Sequence, residues 1–142
     1  MNHTSLGDPE SSFQSGKDSS AAETGYGIGK VSEITSISAF TIRYYDKCGF
    51  LPNLKRDRRG VRTFFLSDMR QLYLVEALHK SGLSIEGIQY FVRLQKRGAA
   101  TSSERLSILR SRKNALEYQR AELDNSLTHL NAAAMDLEDT ES

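Results

Sequence analysis

Between Tyr26 and Leu137 the apolar residues recur at helical spacings, and Gly, Pro and Ser break the pattern at intervals. Ile28, Val31 and Ile34 sit three apart, the repeat of one helical face, and Thr35-Ser36-Ile37-Ser38 ends the run. Ser38 is placed to cap the next segment, Ala39 to Cys48, where Phe40, Ile42, Tyr44 and Tyr45 stand among Arg43 and Lys47 and Gly49 marks the stop. Two short helices across a tight turn are predicted. Pro52 and Asn53 close this unit. Leu54 to Phe65 alternates too poorly for a helix; a Gly behind a charged cluster, with Val61, Thr63, Phe64 and Phe65 beyond it, predicts a small β-hairpin. Ser67 and Asp68 open a helix whose apolar face is Leu72, Leu74, Val75 and Leu78. Gly82 ends it, and Ser84 starts another bearing Ile85, Ile88, Phe91 and Val92.

Beyond Gly98-Ala99-Ala100, Thr101 and Glu104 stand at capping-box spacing. Leu109, Leu116, Leu123, Leu130 and Leu137 then recur every seven residues, with Leu106, Leu127 and Ala134 filling the three/four alternation of a coiled-coil seam. The seam positions near 112/113 and 119/120 hold Arg, Lys, Gln and Arg, so its first half is the weaker one. Roughly 35 residues of helix would span about 50 Å. One small domain cannot cover a stripe of that length, so a second copy of the chain is expected to pair through Leu109, Leu116, Leu123, Leu127, Leu130 and Leu137. The expected organisation is a disordered tail over 1–25, a compact domain over 26–97 and a dimerisation helix over 101–138. The tail assignment rests on composition, since six Ser, three Gly and one Pro accompany only Leu6 and Phe13 as sizeable apolar side chains after Met1.

The whole chain of 142 residues carries a formal net charge of +1, which hides a strong asymmetry. Residues 1–25 hold one Lys against four acids, residues 26–97 hold 13 Lys and Arg against six acids, and residues 98–142 hold five against eight. A basic middle between acidic flanks points to a polyanion partner, with nucleic acid foremost. Catalytic readings fail. Gly25-Tyr26-Gly27-Ile28-Gly29-Lys30 resembles a phosphate-cradling loop but has Thr24 where a Gly is needed and Val31 where Ser or Thr is needed. His3, His79 and His129 are far apart, Cys48 has no partner at ligand spacing, and the acids are scattered, so no metal, cofactor or general acid/base pair is expected. A single Cys and the lack of a basic start followed by an apolar run point to a reducing cytoplasm, and no apolar run reaches the length of a membrane span.

Nucleic-acid binding collects several signals in one window. Two short helices across a turn form a helix-turn-helix, whose second helix fits a major groove about 12 Å wide. Arg43 and Lys47 stand four residues apart on that helix, hence on one face. Lys55, Arg56, Arg58, Arg59 and Arg62 against Asp57 alone load the hairpin with positive charge for phosphate contacts.

The residues that carry this pattern resemble the MerR family of transcriptional regulators. They are Tyr26-Gly27-Ile28-Gly29, Thr41-Ile42-Arg43-Tyr44-Tyr45-Asp46, Gly49-Phe50-Leu51-Pro52, Arg59-Gly60-Val61-Arg62-Thr63-Phe64, Ser67-Asp68 and Ser81-Gly82-Leu83-Ser84-Ile85-Glu86-Gly87-Ile88. The resemblance implies a mainly α protein. A winged helix-turn-helix DNA-binding domain, four helices plus a hairpin wing, precedes a long helix that pairs antiparallel with its twin. It places Ser38, Ala39, Phe40, Thr41, Arg43, Tyr44 and Tyr45 against the major groove with Lys47 on the same helix, Tyr45 on the DNA backbone, and Arg56, Arg58, Arg59, Gly60 and Arg62 on the wing. It further implies a homodimer on double-stranded DNA at an inverted-repeat promoter site, distortion of that DNA, and RNA polymerase as a partner there.

Two positions depart from the family's habit: Val61 stands where Tyr is usual, and Ser36 where Gly is usual. Phe91-Val92-Arg93-Leu94, Gly98 and Glu104-Arg105-Leu106-Ser107-Ile108-Leu109 resemble the AdhR-like branch, whose sensing Cys maps to Ala77 here. The paired Cys of metal sensors and the Cys cluster of the iron-sulfur type have no counterpart, and no drug-binding domain is expected after the coiled coil. The rival readings are a chromosome-anchoring DNA-binding protein and an adaptor that binds an acidic protein.

Overall fold

A computed structural model describes residues 24–141; most of the tail expected over 1–25, with His3, lies outside them. The described residues form two compact units that divide between Ala77 and Leu78. The elements in order are α1 (Ile28–Thr35), α2 (Ala39–Lys47), β1 (Lys55–Arg56), β2 (Arg62–Thr63), α3 (Leu66–Lys80), α4 (Ile85–Arg97), a 3₁₀ turn (Gly98–Thr101) and α5 (Ser102–Glu141).

In the first unit α1 packs on α2. Val31 and Thr35 are the buried residues of α1, whereas Ile34 is 42% exposed, so the inward face follows the i, i+4 spacing rather than the threefold one. The Thr35 hydroxyl earns its burial by donating to Val31 O at 2.8 Å and accepting from Ile37 N at 3.2 Å. Ser36 turns the chain in the left-handed region at φ 61°, the single non-Gly residue of positive φ among the described residues. This is the position where the family favours Gly, and the side chain costs about 1 kcal/mol there. Ser38 caps α2 as expected, its Oγ accepting from Thr41 N at 3.1 Å and donating to Thr41 Oγ1 at 2.9 Å.

The hairpin pairs Lys55 with Thr63 and Arg56 with Arg62. Its tip is built by Asp57, which accepts at Oδ1 from Arg59 N at 2.8 Å and from Val61 N at 2.9 Å, while Gly60 takes φ 82°. Asp57 N donates to Val61 O at 2.9 Å, which narrows the loop to residues 58–60, and the left-handed third residue that such a loop needs is supplied by Gly without a Cβ clash. A further rung was not visible in the sequence. Tyr26 and Phe64 exchange backbone hydrogen bonds at 2.9 and 2.8 Å, so the chain before α1 pairs with the hairpin. Gly25 permits this approach, because a Cβ there would overlap Thr63 Cγ2.

α3 begins at Leu66, one residue before the expected start. Ser67 is an exposed residue of its first turn. Asp68 caps from inside, with Oδ2 accepting from Phe65 N at 2.9 Å. Ile42, Tyr45, Phe50, Leu51, Phe64, Met69, Leu72 and Val75 are buried in this unit, and Gln71 Nε2 donates to Phe50 O at 3.2 Å.

In the second unit Ile88, Phe91, Val92 and Leu94 are the buried residues of α4, which Ser84 caps through Gly87 N at 3.0 Å. The expected Thr101–Glu104 capping box does not form. Thr101 is buried and its hydroxyl donates to Leu94 O at 2.7 Å and Gly98 O at 2.9 Å, while Glu104 accepts from the Tyr90 hydroxyl. Arg105 locks the same corner, donating to Thr101 Oγ1 at 2.9 Å and to Gly98 O at 3.0 Å. Arg112, at one of the polar seam positions, donates to Ser81 O at 3.2 Å. α5 is 40 residues long, hence about 60 Å. None of its residues is buried, and Leu123, Leu127, Leu130 and Leu137 are 56–68% exposed. Among the described residues no helix is long and apolar enough to cross a membrane.

Candidate nucleic-acid interface

The nine residues of α2 divide cleanly. Ile42 and Tyr45 are buried, and Phe40, Arg43, Tyr44 and Lys47, spaced i, i+3, i+4 and i+7, are exposed on one side. Ala39 and Thr41 are half-buried, and the Ser38 hydroxyl is occupied in the cap. The exposed face therefore offers two cations, one phenol and one phenyl ring.

Tyr45 departs from its expected place on the DNA backbone. Its side chain is only 3% exposed, its hydroxyl donates to the Glu76 carboxylate on α3, and its ring lies 5.7 Å from that of Phe50. Burial first, and the hydrogen bond to Glu76 second, hold the phenol well above its ordinary range. The residue fastens α2 to α3 and presents nothing to a groove. Tyr44, 43% exposed beside it, keeps the outward position.

Lys55, Arg56, Arg58, Arg59 and Gly60 are all exposed on the hairpin, and Arg62 is half-buried. Asp46, at the end of α2, takes both Arg56 Nη2 and Arg62 Nε on its Oδ2, the latter at 2.7 Å, and is itself mostly covered, its side chain 9% exposed. One carboxylate thus ties the second helix to the wing. Such charge-assisted bonds are short and directional, so they fix the separation of the two basic elements. At the wing tip the amide of Val61, with desolvation opposing it and the Arg59 amide and guanidinium adding to it, holds the Asp57 carboxyl below its usual range. Val61 is 48% exposed and adds no hydrogen-bonding group to the wing. Among the described residues Arg43, Lys47 and Arg58 form no ion pair, leaving their charge for a partner.

Asp46 and Glu76 were missed by the sequence reading. Asp46 had a signal: it is one of six acids in a segment of 13 cations and stands one residue from Lys47. Glu76 had none, because its partner lies 31 residues away.

Comparison with known proteins agrees with this architecture. Residues 26–95 match the MerR HTH family regulatory protein profile. An uncharacterized HTH-type transcriptional regulator of Haemophilus influenzae is 38% identical over 102 residues, covering 72% of this chain and 76% of the relative. AdhR, an HTH-type transcriptional regulator of Bacillus subtilis, is 29% identical over 89 residues, covering 63% of this chain and 64% of AdhR. Among solved structures, HiNmlR, a MerR family regulator lacking the sensor domain and bound to promoter DNA, superposes with a TM-score of 0.66 at 37% identity, over 76% of this chain and 86% of HiNmlR. The helix-turn-helix, the basic wing and the long terminal helix, together with these likenesses, establish that the chain belongs to the MerR family of helix-turn-helix transcriptional regulators.

Proposed function

We propose that the protein is a homodimeric, sequence-specific regulator that binds an inverted repeat in a promoter, distorts the duplex between the half-sites and so realigns RNA polymerase contacts. The carrying observation is the exposed Phe40, Arg43, Tyr44 and Lys47 face of α2, joined to the cationic wing through Asp46. Arg43 sits where a helix entering the major groove meets base edges and has the forked donors that match guanine. Ser38, Ala39 and Thr41 form the first turn beside it, while Lys47, Arg56, Arg58, Arg59, Gly60 and Arg62 follow the phosphates. Those contacts set register and affinity rather than sequence.

Dimerisation is supported by α5. Leaving the side chains of Leu123, Leu127, Leu130 and Leu137 in water forgoes about 1.5–3 kcal/mol each, which an antiparallel partner helix recovers. Two copies of α2 then meet successive major grooves about 34 Å apart, or a multiple of that, which is why the site is an inverted repeat. The likeness to HiNmlR, bound to promoter DNA, supports the same reading.

Selection of bound duplexes from a random library tests this. Enrichment of an inverted repeat with one fixed spacing is the expected result, whereas binding without enrichment would contradict it.

A further inference from the structure

We infer that Phe40 is a specificity-determining residue that reads the 5-methyl group of a thymine in each half-site, an inference that rests on the proposed placement of α2 in the major groove. Phe40 is 78% exposed, more than any other large apolar side chain among the described residues. It therefore contributes little to the core, and a phenyl ring left in water awaits a cover. It is the second residue of α2 and shares its side with Arg43, Tyr44 and Lys47. Residues in the N-terminal part of a helix docked in the major groove are the ones that meet base edges.

The chemistry narrows the target. Thymine alone presents a methyl group in the major groove, where guanine, adenine and cytosine are marked by their donors and acceptors and cytosine has only a hydrogen at C5. A phenyl ring has no polar atom with which to repay a covered donor or acceptor, so seating it on any other base leaves a desolvated polar edge. Ala39 and Thr41 also carry methyl groups of the kind that meets a thymine methyl, but both are half-buried whereas the Phe40 ring stands out. The Ser38 and Thr41 hydroxyls bond each other, and Arg43, with its guanidinium, suits guanine. Phe40 and Arg43 are three residues apart, about 4.5 Å along the axis, so the thymine and the guanine fall within one or two base pairs of each other.

The test uses the full-length protein and the duplex it selects from a random library. Each thymine of a half-site is replaced in turn by uracil, which lacks only the methyl group, and affinity is measured for wild type, Phe40→Ala and Phe40→Leu. At one position uracil is expected to weaken wild type about fourfold, the worth of one buried methyl. Phe40→Ala is expected to bind the parent duplex about tenfold more weakly and to ignore the same substitution, and Phe40→Leu to keep part of the uracil penalty. All three proteins should melt alike, since the ring is outside the core. Uracil tolerated everywhere by wild type, an equal uracil penalty in wild type and Phe40→Ala, or full affinity of Phe40→Ala would overturn the role of Phe40 while leaving DNA recognition intact. A library that yields no enriched sequence would overturn both.

Discussion

Asp46 Oδ2 lies 2.7 Å from Arg62 Nε, and this contact, with Arg56 on the same oxygen, binds the end of α2 to the wing. Two wing cations are thereby oriented by the helix that the proposed function seats in the groove, which would hold phosphate and base contacts in one register.

Asp46→Ala should separate these effects. Loss of a mostly covered carboxylate with two charged donors is expected to cost about 1–3 kcal/mol of stability, measured by denaturant titration. Binding to random duplex should hold or rise, since two arginines lose their acid, while preference for the selected site falls. An unchanged preference would mean that the wing finds its place without Asp46.

Tyr45→Phe distinguishes a fastener from a DNA contact. Removing the hydroxyl that Glu76 accepts should destabilise the protein by about 1–3 kcal/mol and leave the DNA affinity of the folded protein unchanged. The phenol is raised above its unfolded value, so its contribution is complete below about pH 10 and is lost as pH climbs through the folded value. Wild type should therefore lose stability in strong alkali more steeply than Tyr45→Phe. Equal alkaline slopes would show that the buried phenol is not held above its unfolded value.

Asp57 gives a signal at the opposite end of the pH scale. Its carboxyl is lowered by the amides of Val61 and Arg59, so the wing-tip contribution is present above about pH 4 and disappears on acidification through the lower folded value. Hydrogen-exchange protection of the Arg59 and Val61 amides is expected to vanish across that range, and to be absent at every pH in Asp57→Ala. Persistent protection in the variant would show that Gly60 and the strand pairing alone hold the tip.

Much of this was legible because the informative contacts are local. Ser38 and Ser84 cap helices through amides three residues away, Gly60 sits at a hairpin tip, and the buried Leu72, Val75 and Leu78 lie at helical spacing. The motif that runs from Thr41 to Asp46 does form a helix with one exposed face, yet its second Tyr turns inward. What decides between Tyr44 and Tyr45 is the phase of α2 against its core, together with a Glu76 partner 31 residues distant, and neither is written in the motif. The Thr101 corner failed for a related reason. A hydroxyl at capping spacing bonds whichever carbonyl is nearest in space, and the bend after α4 brings Leu94 O to it. Ser36 shows the reverse case: the departure from Gly was visible, and its backbone still takes the left-handed turn that Gly would adopt without strain.

The seam of α5 carries the proposed dimer. Leu123→Glu together with Leu130→Glu should convert the protein to a monomer by analytical ultracentrifugation at micromolar concentration. The first unit, which contains neither residue, should keep its fold. Affinity for the two-half-site duplex is expected to drop at least about a hundredfold as the second contact ceases to be intramolecular. A variant that stays dimeric would place the interface elsewhere.

The most direct test of sequence-specific recognition by α2 compares wild type, Arg43→Ala and Arg58→Ala on the selected duplex and on random duplex at about 150 mM salt. Wild type should prefer the selected duplex by about 10³ or more. Arg43→Ala should lose most of that preference while keeping its affinity for random DNA, and Arg58→Ala should weaken both duplexes alike. Equal affinity of wild type for the two duplexes, or parallel losses in both variants, would contradict the account.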